Sequence, residues 1–201
     1  MQTIWLASKS PRRAELLRGM GVPFEVLQLT DDAGKQYEVD ESVLPGEPPR
    51  DYVRRVALDK ALHAVAYIRD RGLTARPLLS ADTTVAIGNR ILGKPADPAE
   101  ARAMLNALSG SEHEVLTAVV VVAGDTIHQA LSVSQVRFMP LADETIARYI
   151  ASGEPFDKAG AYGIQGHAGI FVTEMQGSCT GIMGLPVHET AGLLEAVGFE
   201  I

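Results

Sequence analysis

The run Leu78-Leu79-Ser80-Ala81-Asp82-Thr83-Thr84-Val85-Ala86-Ile87-Gly88-Asn89-Arg90-Ile91-Leu92-Gly93-Lys94-Pro95 decides the fold. Leu78 to Ala81 and Val85 to Ile87 are short apolar stretches that read as strand, and Gly88-Asn89 reads as a hairpin turn leading into Ile91 and Leu92. A hairpin argues against a wholly parallel sheet. Asp82 stands between the two apolar pieces, where a carboxylate is costly unless it is paired, hydrogen-bonded or bound to metal. Its ordinary alternative is to cap a bend with Thr83 and Thr84. Lys94 adds a cation at the tight turn after the hairpin, where the ordinary alternative is an exposed loop lysine.

Toward the C-terminus, Asp97, Pro98 and Glu100 form the N-terminal capping pattern of a helix that stops around Ser109 and Gly110. Val115 to Val122, a turn at Gly124-Asp125, and Thr126 to Phe138 read as two further strands. Helices are expected over about Ala142 to Ile150 and about Val187 to Val197. Toward the N-terminus, Thr3 to Ala7 reads as a buried strand. A helix starts at Pro11, capped by Ser10, with Ala14, Leu17 and Met20 in apolar spacing and an end near Gly21. Thr30 to Pro49 is polar, acidic and rich in Gly and Pro, so it is expected to be irregular. A long helix follows from about Asp51 to about Arg71. Strands and helices are interspersed, which predicts an α/β (mixed α+β) fold: one domain over residues 1–201, with a central mixed β-sheet and flanking helices.

The chain of 201 residues is 46% hydrophobic, enough to enclose a full core. A formal net charge of -7 and a pI near 5.2 argue against non-specific attachment to nucleic acid or anionic membrane. The single cysteine, Cys179, allows no internal disulfide, and the start of the chain lacks a basic segment followed by a long apolar one. The most apolar run, Val115 to Ala123, is too short to cross a bilayer as a helix. A cytoplasmic protein is expected, with neither nucleic acid nor membrane as partner. Any polyanion it binds must meet locally concentrated cations.

Such concentrations exist. Ser8, Lys9, Ser10, Pro11, Arg12 and Arg13 bring two hydroxyls and three cations to the positive end of a helix, where backbone N–H groups and paired guanidinium bonds favour phosphate. The ordinary alternative is a capped helix with solvated basic residues. The motif is not a Walker loop, because the glycine spacing and terminal Lys-Ser/Thr pair are missing. Lys60 falls in the middle of the apolar stripe Val53, Val56, Ala57, Ala64, either with its stem on apolar surface or with its ammonium aimed into a cleft. In Asp157 to Gly166 the small residues allow close backbone approach to a ligand, and the Gln165 amide can both donate to and accept from a base edge. Histidines show no metal-ligand spacing, and Ser178 lacks partners for a triad.

Nearly the whole chain resembles the Maf family of nucleotide pyrophosphatases. The resemblance is carried by LASKSPRR at Leu6 to Arg13, RRVALDKA at Arg54 to Ala61, SADTTV at Ser80 to Val85 and GKP at Gly93 to Pro95. FDKAGAYGIQG at Phe156 to Gly166 and GLP at Gly184 to Pro186 complete it, and the DKAGAYGIQG stretch is similar to the branch acting on dTTP and UTP. The resemblance implies a fold related to inosine triphosphate pyrophosphatases, two lobes around a cleft, a homodimer and a divalent cation, Mg²⁺ or Mn²⁺. It implies that Ser8, Arg12, Arg13, Lys60 and Lys94 hold the triphosphate and that Asp82 is the catalytic acid-base residue. Thr83 and Gln165, with one of the two arginines, would select the pyrimidine. For the metal it implies Glu41, with Asp31 and Asp32 as competitors, together with Asp82, whose role as base or metal ligand the sequence does not separate. The segment Ser178 to Met183 departs from the family's usual pattern before GLP. The expected reaction is hydrolysis of dTTP and UTP to nucleoside monophosphate and pyrophosphate, with modified uridine triphosphates as further substrates. The rivals are a purine-directed pyrophosphatase and a non-enzymatic nucleotide-binding regulator of cell division.

Overall fold

The computed structural model describes residues 2–30 and 39–201. In chain order the elements are β1 (Ile4–Leu6), α1 (Pro11–Gly19), β2 (Phe24–Val26), α2 (Pro49–Asp70), β3 (Leu78–Ile87), β4 (Arg90–Leu92) and α3 (Pro98–Leu108). Then come β5 (Glu112–Ala123), β6 (Thr126–Phe138), α4 (Asp143–Ala151), β7 (Val172–Gln176), α5 (Cys179–Ile182) and α6 (Val187–Ala196). Three short 3-10 turns, Glu154–Asp157, Ala159–Ala161 and His167–Phe171, lie between α4 and β7.

The seven strands form one sheet in the order β2-β1-β3-β5-β6-β7, with β4 attached to β3. β1 runs parallel to both its neighbours, and the other pairings are antiparallel, so the sheet is mixed as expected. β3 is its spine. One edge of β3 pairs with β5 from Leu78 to Ala86. The other edge is divided: β1 takes Leu78 and Leu79, and β4 takes Val85 to Ile87. Between them, no described strand lies beside Ser80 to Thr84, and the sheet forks.

Leu78 to Ala81 and Val85 to Ile87, read as separate apolar pieces, belong to one element, and the alternative of a bend capped by Asp82 is not realised. β3 is one continuous strand of 10 residues. Its polar stretch coincides with the part of its divided edge where no described strand pairs.

The helices cover both faces. Val53, Val56, Ala57, Ala61 and Ala64 of α2 pack on Leu78, Leu116, Ala118 and Val120. Each fully buried aliphatic side chain contributes about 1.5–3 kcal/mol, enough to hold a long helix against the sheet. On the opposite face there are two cores. Leu17 of α1 and Leu194 of α6 pack with Leu79, Ala81, Val119 and Val121. Leu105 and Leu108 of α3, with Ile146 and Tyr149 of α4, pack with Val85, Val115 and Phe138. A polar row separates these cores, with Thr83 paired to Thr117 and Thr117 to Ser132 across three strands. The division into two lobes follows from that row.

The N-caps at Ser10 and Asp97 form as expected, with Asp97 accepting from Glu100 N at 2.8 Å. α2 starts at Pro49, two positions earlier than its apolar pattern suggested. Three elements were not expected: β2, β7 and α5. β2 is 3 residues long, α5 is 4, and β7 is mostly exposed, so none carries a hydrophobic period to read.

Candidate active site

The fork opens into a cleft of about 640 Å³, in the range of small-molecule sites. Ser8 enters it from the β1–α1 turn, Arg12 and Arg13 from the first turn of α1, Asp82 and Thr83 from β3, and Lys60 from α2. Glu41, Lys94 and Gln165 enter from loops, so each expected site residue in the described chain faces one cavity. Asp31 and Asp32 lie outside the described residues.

Two carboxylates meet at one cation. Lys60 Nζ donates to Asp82 Oδ1 at 2.7 Å and stands 2.6 Å from Glu41 Oε1. The Asp82 side chain is only 9% exposed, so this partner is what makes its charge tolerable on the strand. Burial is the largest single influence on Glu41 and would raise its pKa. Lys60, Lys94 and Arg13 together outweigh it and hold the carboxyl below the ordinary glutamate value. The Lys60 anomaly in the apolar stripe is thereby explained: its stem lies along the α2 contact with the sheet, and its ammonium reaches the fork.

Glu41 is held by residues that sequence reasoning did not single out. Tyr52 Oη donates to the Glu41 carbonyl at 3.0 Å. Arg55 grips Glu47 through two bonds of 2.6 and 2.9 Å and donates to the Ser42 carbonyl at 2.9 Å. A paired guanidinium–carboxylate contact with a largely buried glutamate fixes a loop more firmly than an exposed ion pair does. The signal was present in the register of α2, since Tyr52 lies on the same face as Lys60, but its target was not legible.

Arg12 and Arg13, adjacent in sequence, are used differently. Arg13 is half-buried and committed to the protein: Nε donates to the Gly184 carbonyl at 2.8 Å, and Nη1 to the Ala81 carbonyl at 2.8 Å and Ser8 Oγ at 3.1 Å. Nη2 donates to Thr83 Oγ1 at 3.1 Å. The Ala81 carbonyl belongs to the forked edge, so Arg13 satisfies a backbone acceptor that no described strand pairs there. Burial lowers its pKa below the usual guanidinium value, and Asp82 and Glu41 oppose that shift. Arg12 and Lys94, by contrast, make no hydrogen bond or salt bridge with the described residues, yet both line the cleft.

The Asp157 to Gly166 stretch is more ordered than a flexible connector. It coils through two of the short 3-10 turns and is fastened by Lys158, which donates to the Glu154 carbonyl at 2.7 Å. A Cβ at Gly163 would stand 2.7 Å from Lys158 Cε and 3.2 Å from Arg12 Nη1, so a side chain there would push on both cations. Behind the loop, buried His113 meets Tyr162 Oη at 2.8 Å through Nε2. Burial pushes the His113 pKa down to about 4, so this histidine is neutral at ordinary pH. Exposed Gln165 is carried on the cleft side of the loop.

The donor chemistry fits a divalent cation only in part. Glu41 and Asp82 bring oxygen atoms to one point, which suits Mg²⁺ or Mn²⁺, and no group of three or more His, Cys, Asp or Glu that could hold a metal occurs among the described residues. Such a cation would need further oxygens from ligand and water, the usual situation for Mg²⁺ bound with a nucleotide phosphate.

Two carboxylates and several cations lining one cleft in a mixed sheet have the chemistry to meet a polyphosphate. The chain belongs to the Maf family, whose description, Maf-like protein, matches residues 3–197. It is 60% identical over 192 residues to the dTTP/UTP pyrophosphatase of Ralstonia nicotianae, covering 95% of this chain and 92% of that one. It is 51% identical to the dTTP/UTP pyrophosphatase of Aromatoleum aromaticum, covering 98% and 97% of the two chains. The solved structure of the Staphylococcus aureus Ham1 protein overlaps 68% of this chain and 72% of that one, with a TM-score of 0.47 at 12% identity.

Proposed function

We propose that the chain is a nucleoside triphosphate pyrophosphatase that hydrolyses dTTP and UTP to the nucleoside monophosphate and pyrophosphate. The observation that carries this reading is the Glu41–Lys60–Asp82 cluster sharing a cleft of nucleotide size with Arg12 and Lys94, which make no hydrogen bond or salt bridge with described residues. The near-complete coverage of relatives named for this activity supports the choice of nucleotide.

In the reaction a water oxygen bonds to the α-phosphorus while the bond from that phosphorus to the α–β bridging oxygen breaks, and pyrophosphate departs. Asp82 orients the water and takes its proton, which a carboxylate within hydrogen-bond reach can do. Arg12 and Lys94 neutralise charge growing on the departing pyrophosphate, where electrostatic stabilisation is most effective. Lys60 Nζ, bonded to Asp82 Oδ1, directs the carboxylate. Arg13 works through others, holding Ser8, Thr83 and Gly184 in place. A divalent cation held by Glu41 and Asp82 would supply further charge neutralisation on the phosphates. Gln165 and Thr83 hydrogen-bond the uracil or thymine edge. A cytoplasmic homodimer is part of the same proposal, resting on composition and the family resemblance.

The test is pyrophosphate release from a panel of nucleotides with Mg²⁺ or Mn²⁺. Efficient cleavage of dTTP and UTP with poor cleavage of CTP, 7-methyl-GTP and inosine triphosphate is expected. Preference for inosine or xanthosine triphosphate would replace the reading with a purine-directed enzyme. Tight binding without metal-dependent turnover would replace it with a regulator.

A further inference from the structure

A chain of hydroxyls runs beneath the cleft floor, and its proton order can be read from its ends. Thr117 Oγ1 lies 2.8 Å from the Gly181 carbonyl and 2.9 Å from Thr83 Oγ1, in a fully buried position. A carbonyl oxygen only accepts, so Thr117 spends its one proton on Gly181. Thr83 must then donate to Thr117. At the other end Arg13 Nη2, a group that only donates, points at Thr83 Oγ1 at 3.1 Å. Thr83 has therefore used its proton and one lone pair within the protein. What it offers to the cleft is the remaining lone pair.

We propose that Thr117 is a specificity-determining positioning residue: by taking the Thr83 proton, it makes Thr83 an obligate acceptor that reads the imide N–H of uracil or thymine. This rests on the reading that Thr83 faces the pyrimidine. Uracil and thymine present a donor at ring position N3, flanked by two carbonyls, whereas cytosine presents a lone pair there. An acceptor set against that lone pair leaves two buried polar groups unpaired, the kind of mismatch that gives strong rejection. A freely rotating hydroxyl would accommodate either base by turning its proton. The relay also explains why Thr83 sits where Arg13, the Thr117 strand and α5 converge.

The experiment measures kcat/KM for UTP and CTP, by pyrophosphate release, in the wild type, Thr117→Val and Thr117→Ser. Thr117→Val, which keeps the shape but frees the Thr83 proton, is expected to shrink the UTP:CTP ratio about tenfold. The change should fall mainly on KM for CTP, and Thr117→Ser should restore the wild-type ratio. A merely structural role would lower both substrates together and leave the ratio alone. A folded Thr117→Val whose ratio stays within about twofold of wild type overturns the proposal. If Thr117→Val does not fold, the wild type alone decides: N3-methyl-UTP, lacking the imide N–H, must be cleaved about tenfold less efficiently than UTP, and equal cleavage overturns it. A wild type that shows no preference for UTP over CTP overturns the underlying reading of the site instead, and the proposal with it.

Discussion

The two walls of the cleft are built to opposite plans. On the wall formed by the β1–α1 turn, the forked edge of β3 and Gly184, Arg13 and its partners are bonded to one another. Elsewhere in the lining, Arg12, one position before Arg13 on α1, and Lys94, on the turn after β4, have no hydrogen bond or salt bridge with described residues. The first wall is a scaffold whose hydrogen bonds form on folding. The second carries cations without such bonds, although Lys94 acts on Glu41 and Arg12 on Asp157 through space. Adjacent arginines in one motif thus separate into a shape-keeping residue and a binding residue.

The largest effect that can test this division is expected from Asp82→Asn. It retains an acceptor for Lys60 but cannot take a proton, and turnover of dTTP should fall about 10²–10⁴-fold with nucleotide binding retained, as measured by steady-state kinetics and calorimetry. Next, Arg13→Ala should lower stability by about 3 kcal/mol in chemical denaturation, because it leaves the buried Ala81 and Gly184 carbonyls without their donor.

A comparable effect belongs to His113. Its pKa is about 4 in the fold against an ordinary value of 6.5. The unfolded chain therefore binds the proton first, and stability is full above pH 6.5 and declines as pH falls from 6.5 to 4. The total is up to about 3 kcal/mol, and His113→Leu should flatten that part of the stability–pH curve. The smallest effect sharpens the comparison most. Arg12→Ala should raise KM for dTTP about tenfold while moving stability by less than about 0.5 kcal/mol, the reverse of Arg13→Ala.

Much of this was legible in the sequence because it rests on local rules. The caps at Ser10 and Asp97 and the Gly88-Asn89 hairpin each depend on a few adjacent residues. The Lys60 anomaly and the cost of Asp82 on a strand likewise needed only periodicity and desolvation. The fork was not legible, since it arises where β1 and β4 each cover part of one β3 edge, and neither strand's length announces that. Nor was the separation of Arg12 from Arg13, because the acceptors that bind Arg13 are backbone carbonyls 68 and 171 positions away. Tyr52, Arg55 and Thr117 escaped for the same reason: a tyrosine, an arginine or a threonine in a regular element carries no mark of what it meets across the fold.

The central claim is that this cleft directs water to the α-phosphorus of a pyrimidine triphosphate. Following dTTP consumption by phosphorus NMR in ¹⁸O-enriched water tests it most directly. dTMP and pyrophosphate are expected in equal amounts, with the label in dTMP. Release of dTDP and inorganic phosphate, or label in the pyrophosphate, would contradict it.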